Sequence, residues 1–248
     1  MALRRIKADF HVHTCLSPCS SLDMSPREVV NAALQKGIDL IGVCDHNSAE
    51  NVLAVKKAGR RNGLMVLGGM EVASSEEAHI LVFFDDDEDL LNFQDYIYRH
   101  LEGRNDEHSF GLQVIADDED GVTGFCDRLL IAATSLPAET ISAVAREAKG
   151  ESLVIAAHVD REAFSIIGQL GFIPPGLGLD GVELSGRMTA AALAARYPEC
   201  GNFPVVTGSD AHGPGDIGKR YTLLTVEDGS IAEIKKALTG RDGRKAEC

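Results

Sequence analysis

No run in this 248-residue chain approaches the ~20 consecutive apolar residues of a membrane-spanning helix, although hydrophobic residues make up 44% of it. No apolar stretch follows Met1-Ala2-Leu3-Arg4-Arg5, so no secretory leader is expected, and a cytoplasmic location with no membrane partner is the default. There are six cysteines but no Cys-x-x-Cys pair, which argues against a zinc ribbon or a thioredoxin-type centre. Six thiols in a chain this long do not look like a disulfide framework either. Basic residues are scarce, with Lys+Arg 24 against Asp+Glu 38 and a net charge of −14. Phosphate backbones are held by clustered Lys and Arg, so this balance argues against duplex nucleic acid as a partner. It says little against a small phosphate, because a bound metal cluster reverses the sign of charge locally. Aromatic residues make up only 5% and do not interleave with basic ones, so a stacking track for a single strand has little support. Lys56, Lys57, Arg60 and Arg61 read as the solvated face of a helix. There is no internal repeat and no low-complexity linker.

What is present is an alternation. Extended runs at 8–13, 39–44, 64–67, 80–84, 153–157, 181–184 and 204–207, with 221–226 as a further candidate, read as strands. Runs such as Leu-Val-Ile-Ala-Ala are apolar throughout, as strands of a parallel sheet covered on both faces must be. Helix signals lie between them. Ser25-Pro26-Arg27-Glu28 offers an N-cap, a proline at the first helical position and a capping-box glutamate, with Gly37 as the stop. Ser48 is the expected cap of a second helix ending near Gly63, and further helices are expected at 136–149, 188–197 and 230–238. The length and the alternation suit an α/β barrel. One interval breaks the rhythm. After the acidic run 85–89 come a helix candidate at 90–101 and a hairpin pairing 112–116 with 122–125 around Asp120-Gly121. This helical and hairpin segment is expected to be an insertion, a candidate lid.

Nine side chains of metal-binding type fall at or near the ends of the predicted strands: His11, His13, Asp45, His46, Glu71, His79, His158, Asp210 and His212. Residues i and i+2 of a strand share a face, so His11 and His13 can look into one cavity, and Asp210 and His212 repeat the spacing. His79 stands at the start of its strand, which requires a strand reversal or a displaced boundary. A lone histidine is more often a hydrogen-bonded core or surface residue, and that reading stands for His100 and His108. Six histidines and two acids gathered at strand mouths are expected to form a metal site. Imidazole and carboxylate suit zinc, manganese or iron.

In order along the chain, Ala8-Asp9-Phe10-His11-Val12-His13-Thr14, Ile41-Gly42-Val43-Cys44-Asp45-His46-Asn47, Gly69-Met70-Glu71-Val72, His79-Ile80-Leu81, Ala157-His158 and Gly208-Ser209-Asp210-Ala211-His212 resemble the motifs of the PHP (polymerase and histidinol phosphatase) superfamily. The resemblance spans residues 8–218. It implies a distorted (βα)7 TIM-like barrel, one domain over 1–248 with an insertion at about 85–136. It also implies a metal-dependent phosphoesterase using up to three divalent ions. Carried over by position, His11, His13, Glu71 and Asp210 would hold one metal. His46, His212 and a third residue would hold a second, and His79 and His158 a third with Glu71 bridging. The family offers His or Asp in the remaining place. Here the spacing gives Pro18 or Cys19, and Cys19 is either a thiolate ligand or a small buried thiol beside the site. Cys44 replaces a threonine common in the family and is expected to pack. Asp45 is expected to orient a ligand or water by hydrogen bonding.

Metals a few ångström apart can activate a water and clamp both oxygens of an in-line phosphoryl displacement. Asp210 or His212 is the candidate for proton transfer to the leaving oxygen. Arg161 is the first candidate for gripping substrate phosphate and Arg187 the second, ahead of Lys219 and Arg220. Gly208-Ser209 could turn backbone N–H groups toward a phosphate but reads more readily as an ordinary turn. The expected substrate is a small phosphomonoester or a short oligonucleotide. The competing class is a non-catalytic, metal-stabilised regulatory or interaction domain of the same fold. Metal-dependent amide hydrolysis or deamination ranks lower, for want of a metal-bridging lysine.

Overall fold

The computed structural model describes residues 2–248. Its strands are β1 (Arg4–Val12), β2 (Leu40–Val43), β3 (Met65–Ala73), β4 (His79–Phe84), β5 (Val114–Ala116), β6 (Val122–Phe125), β7 (Ser152–Ala156), β8 (Gly181–Leu184), β9 (Val205–Thr207), β10 (Thr222–Val226) and β11 (Lys245–Glu247). Its helices are α1 (Pro26–Gln35), α2 (Val52–Asn62), α3 (Asp87–Arg99), α4 (Glu107–Phe110), α5 (Ala138–Ala145), α6 (Ile166–Leu170), α7 (Ala190–Arg196) and α8 (Ile231–Leu238). Nine strands form one sheet in the order β11-β10-β1-β2-β3-β4-β7-β8-β9. The chain just after β9 returns to β1, where His13 N–H donates to Ala211 O at 3.1 Å and Ala211 N–H to His11 O at 3.1 Å. The sheet thus curls into a nearly closed barrel from β1 to β9, with β10 and β11 continuing beyond the lower half of β1.

Two apolar layers follow from strand alternation. Inside the barrel lie Ala8, Phe10, Leu40, Leu67, Leu81, Phe83, Leu153, Ile155 and Val206. Outside, against the helices, lie Ile41, Val43, Met70, Val72, Ile80, Val82, Val154, Ala156 and Val182. Helix α8 adds Ile231, Ile234 and Ala237 to the inner layer and closes the lower end. Strand β4 runs antiparallel to both β3 and β7. That is the reversal its histidine required, and it sets His79 at the upper mouth beside the ends of β3 and β7.

Strand β3 is longer than expected, running on to Ala73 and carrying Glu71 within it. Other differences are local. Ser25 takes the N-cap position of α1 but its side chain makes no capping bond, so the capping box is not formed. Ser48 does not cap α2. Asn51 holds that position, and the Ser48 hydroxyl lies 2.7 Å from Tyr98 Oη. The segment between β4 and β7 holds α3, α4 and the β5–β6 hairpin, and it docks on the loop after β1. Val114 N–H donates to Cys15 O at 3.0 Å, and Asn51 Nδ2 to Val114 O at 3.0 Å.

Candidate metal centre

A β-bulge in β1 aims the first two histidines. Asp9 pairs with Ile41 but Val12 with Val43, so β1 carries one extra residue between them. Before the extra residue, Ala8 and Phe10 face the barrel interior; after it, Val12 joins the outer layer. His11 and His13 consequently turn inward, the re-aiming that bulges commonly perform beside active sites. Both are completely buried. The two backbone bonds to Ala211 then lay the His11–His13 pair alongside Asp210 and His212.

Glu71 stands at the centre. Its carboxylate oxygens lie 2.8 Å from His79 Nδ1, 3.0 Å from His46 Nδ1, 3.1 Å from His158 Nε2, 3.4 Å from His11 Nε2 and 3.5 Å from His13 Nε2. Asp210 Oδ1 approaches His13 Nε2 at 3.2 Å and His11 Nε2 at 3.3 Å. His212 joins through ring contact with His13, centroids 4.3 Å apart. Eight of the expected ligands therefore converge. His158 and Asp210 reach the cluster from left-handed backbone, with φ of 29° and 51°. Non-glycine residues there carry local strain that the surrounding structure must sustain.

Three polar supports lie behind the ring of imidazoles. Glu183, which the sequence reading missed, accepts from His11 Nδ1 at 2.9 Å and from His158 N–H at 3.1 Å. It is the inward residue of β8, and its only sequence signal is a charge inside the buried run Gly-Val-Glu-Leu. Gly208 leaves room for it: a Cβ there would sit 2.4 Å from Glu183 Oε1. Ser17 was missed as well. Its hydroxyl donates to Asp45 at 2.7 Å, so it accepts from His13 Nδ1 at 3.0 Å. Asp45 therefore orients His13 through Ser17, and also takes bonds from Thr14 N–H and Oγ1, each at 2.7 Å. Asp9 accepts from Ser209 N–H and Gly218 N–H, each at 2.8 Å, tying down the loop after β9. The Ser209 amide is thereby used and does not face a substrate phosphate. Burial pushes the Asp9 carboxyl up to about 6 against these bonds.

Nδ1 of His11 and of His13 is taken up outward by Glu183 and Ser17, which leaves each Nε2 facing the carboxylates, where a cation would take its lone pair. Burial lowers His13 to about 3, helped by His46 and His212 nearby, which keeps it neutral. Burial also disfavours charge on His46, but Glu71 and Cys19 outweigh it and raise that imidazole to about 10. Burial works against ionised Glu71 too, yet His79, His11 and His46 hold its pKa well below the ordinary range.

The centre opens into a cavity of about 220 Å³ lined by Cys19, His46, Glu71, His79, Ile131, His158, Arg161, Phe164, Asp210 and His212. Cys19 lies exposed at its rim, so it is not the buried thiol of the alternative expectation. Partial desolvation by the cavity wall opposes its ionisation, but hydrogen bonds with His212 and His46 bring it down to about 7. Cys44 packs as expected, fully buried with Sγ against the carbonyls of Phe10, Val12 and Gly42. Arg161 reaches the cavity with NH1 2.7 Å from Asp210 Oδ2. Arg187 does not: it is exposed in a neighbouring depression that Arg161 also lines, so its expected grip on phosphate at the metal cavity is not supported. Lys219 pairs with Asp216 outside the cavity. His100 bonds Ser135 and His108 is exposed, both away from the centre.

The donor set fits divalent cations. Three groups each bring ligand atoms within 4.8 Å of one another: His11, His13 and Asp210; His13, His46 and His212; and His46, Glu71 and His79. The first comprises three of the four residues expected of one position, without Glu71, and the third has His46 where His158 was expected beside His79 and Glu71. The second holds His13 where Cys19 was anticipated. His11 Nε2 and Glu71 Oε2 are buried without a hydrogen-bond partner. Leaving such atoms unpaired costs about 1–3 kcal/mol each, a cost that a shared cation removes.

Residues 9–158 match the family model "PHP domain", and 189–241 match "PHP-associated". The chain belongs to the PHP domain family. The uncharacterized protein YqxK of Bacillus subtilis is 25% identical over 98% of this chain and 64% of its own length. Endonuclease Q of Pyrococcus furiosus, a lesion-specific endonuclease, superposes with a TM-score of 0.72 at 20% identity, over 98% of this chain and 58% of that one. A protein of Bifidobacterium adolescentis assigned as a metal-dependent phosphoesterase gives 0.55 at 19% identity, over 86% and 91% of the two chains. The chain thus spans less than two thirds of YqxK and of endonuclease Q. One expectation is corrected here. Endonuclease Q has also been crystallised with a 27-mer duplex whose abasic lesion lies at the active site, with a TM-score of 0.68, 20% identity and coverage of 98% and 58%. Exclusion of duplex nucleic acid from the net charge therefore does not hold for this fold. Net charge sums the whole surface, whereas a lesion is met at one mouth. No helix among the described residues is long and apolar enough to cross a membrane.

Proposed function

We propose that this chain is a metal-dependent phosphoesterase that hydrolyses a phosphate ester presented to the cavity over Glu71. The observation that carries the reading is convergence: five histidines surround the Glu71 carboxylate, and Asp210 and His212 adjoin them, at the barrel mouth, the face where (βα) barrels place their chemistry. His11, His13, Glu71 and Asp210 would hold one divalent ion, with His46, His212, His79 and His158 completing one or two more positions. Zinc, manganese and iron all suit the donors. Bound there, the ions supply an activated water and electrostatic stabilisation of the displaced oxygens.

The protein's own groups do the rest. Glu183 and Ser17 take up Nδ1 of His11 and His13, so each Nε2 already faces the place where an ion would bind. Arg161 reaches over the same cavity, with NH1 2.7 Å from Asp210 Oδ2, and its fork suits two phosphoryl oxygens. His212 lies at the rim with Nδ1 2.8 Å from the Asp210 carbonyl, which leaves Nε2 for one role only: to hold an ion or, where it holds none, to pass a proton to a leaving oxygen. Ile131 and Phe164 narrow the mouth and limit water. A phosphoryl group fits the cavity of about 220 Å³ with room left toward its mouth for the rest of the ester. That group can belong to a small phosphomonoester, a nucleotide diester or, as in the endonuclease Q complex, a duplex with an abasic lesion.

The test is purified protein with measured metal content against aryl phosphate, sugar phosphates, nucleoside phosphates, short oligonucleotides and a duplex with an abasic site. Phosphate or strand release with manganese, zinc or iron, abolished by chelator, is expected. Metal-replete protein that cleaves none of them would remove the proposal.

A further inference from the structure

Two exposed apolar side chains face a cavity otherwise walled by ligands and charge. Phe164 is 50% exposed and Ile131 41% exposed, and both line the opening above Glu71. Scattered exposed apolar residues need no explanation, but Phe164 is not merely scattered. Its backbone is left-handed at φ 60°, a conformation that costs a phenylalanine free energy. Its carbonyl accepts from His79 N–H at 3.0 Å, fixing the turn against β4. Its ring stacks on the His79 imidazole, centroids 5.1 Å apart and planes at 20°. The turn is set by Ser165, whose hydroxyl donates to Arg161 O at 2.6 Å, and by Gly168, where a Cβ would meet Glu162 O at 2.3 Å. One tight loop after β7 therefore delivers His158, the Arg161 guanidinium and a flat apolar ring to the same opening.

We propose that Phe164 is a stacking platform that selects phosphoesters carrying a flat aromatic group beside the phosphate, namely nucleotides. One face of the ring is committed to His79, and half the side chain remains open to a ligand. Base–aromatic stacking is tolerant of base identity because every base has a π-face. With Arg161 on the phosphate and Phe164 on the base, the pair discriminates nucleotides from sugar phosphates of equal charge. Ile131, carried by the segment between β4 and β7, supplies a second apolar contact. The inference rests on the phosphoesterase reading for where the phosphate sits, but binding tests it without turnover.

Zinc-loaded protein is titrated in a calorimeter with non-hydrolysable phosphonates of adenosine and of ribose. The adenosine compound is expected to bind roughly ten-fold tighter, the scale of one base stack. In Phe164→Ala and Phe164→Leu that ratio falls toward one, and Phe164→Trp restores it. Metal content and thermal melts of each variant establish that the centre is intact. Equal binding of both compounds by the unaltered protein overturns the proposal, as does a ratio that survives in Phe164→Leu. Base-dependent binding without hydrolysis of any phosphoester would instead remove the catalytic reading and leave the stacking platform standing.

Discussion

The two ends of the barrel are built on opposite principles. At the upper mouth, charge is buried: Glu71, His11 and His13 have no exposure, two of their polar atoms lack partners, and three nearby backbones are left-handed. At the lower end, Ile231, Ile234, Leu224 and Val226 fill the space with apolar volume. Charges there pair on the surface, as in Lys235–Glu151 at 2.7 Å. The lower end gains stability from burial, and the upper end retains groups that only a ligand satisfies. That difference is what separates scaffold from site in this fold.

Four changes break or sharpen the contrast, from strongest to weakest. Glu71→Ala removes the carboxylate shared by five imidazoles, and activity is expected to fall at least a thousand-fold, with metal content measured by emission spectrometry dropping in parallel. Full metal occupancy with normal turnover would show that Glu71 is not the centre. Ile234→Ala, at the opposite end, is expected to cost about 2–5 kcal/mol of stability through the cavity it leaves. Denaturant titration reads that loss, while turnover per folded molecule should hold; a selective loss of turnover would mean that the ends are coupled. Glu183→Gln keeps shape but weakens the partner of His11. Metal affinity or activity should drop about 10–100-fold, and an unchanged metal titration would count against Glu183 as the orienting group.

Lys235→Ala is the mildest. Lys235 lowers the pKa of Glu151 through a hydrogen bond and charge attraction, below an ordinary value of 4.5. The pair's contribution is therefore present above about pH 4.5 and lost as the pH falls through the lowered value. Both side chains are solvent-screened, so the variant should lose less than about 1 kcal/mol at neutral pH. The difference from the parent should vanish in acid, and a constant difference across pH would rule out the ion pair as its source.

Much of this was legible in the sequence. Buried strands announce themselves by uninterrupted apolar runs, and seven of the expected strands recur within a few residues of their predicted bounds. The hairpin turned at Asp120-Gly121, and the need for reversal at His79 followed from its place before an apolar run. Less visible were features that depend on partners distant in the chain. Glu183 is one acid among many until its strand shows which way it faces. Ser17 matters only because His13 and Asp45 flank it. Ser48 looked like a helix cap but bonds to Tyr98 in the inserted segment instead, a tertiary partner overriding a local preference. Net charge misled because it averages over surface that no substrate meets.

By itself the sequence determined which residue types were available and in what order the strands would offer them, since spacing and hydrophobic period are local properties. Tertiary structure alone decided where those groups point. The extra residue in β1 turns His11 and His13 inward, and the return of the chain at Ala211 sets Asp210 beside them. Such choices arise from pairing between segments about thirty residues apart for β1 with β2 and about two hundred for Ala211 with β1, where backbone hydrogen bonds and close packing, rather than local propensity, fix the geometry.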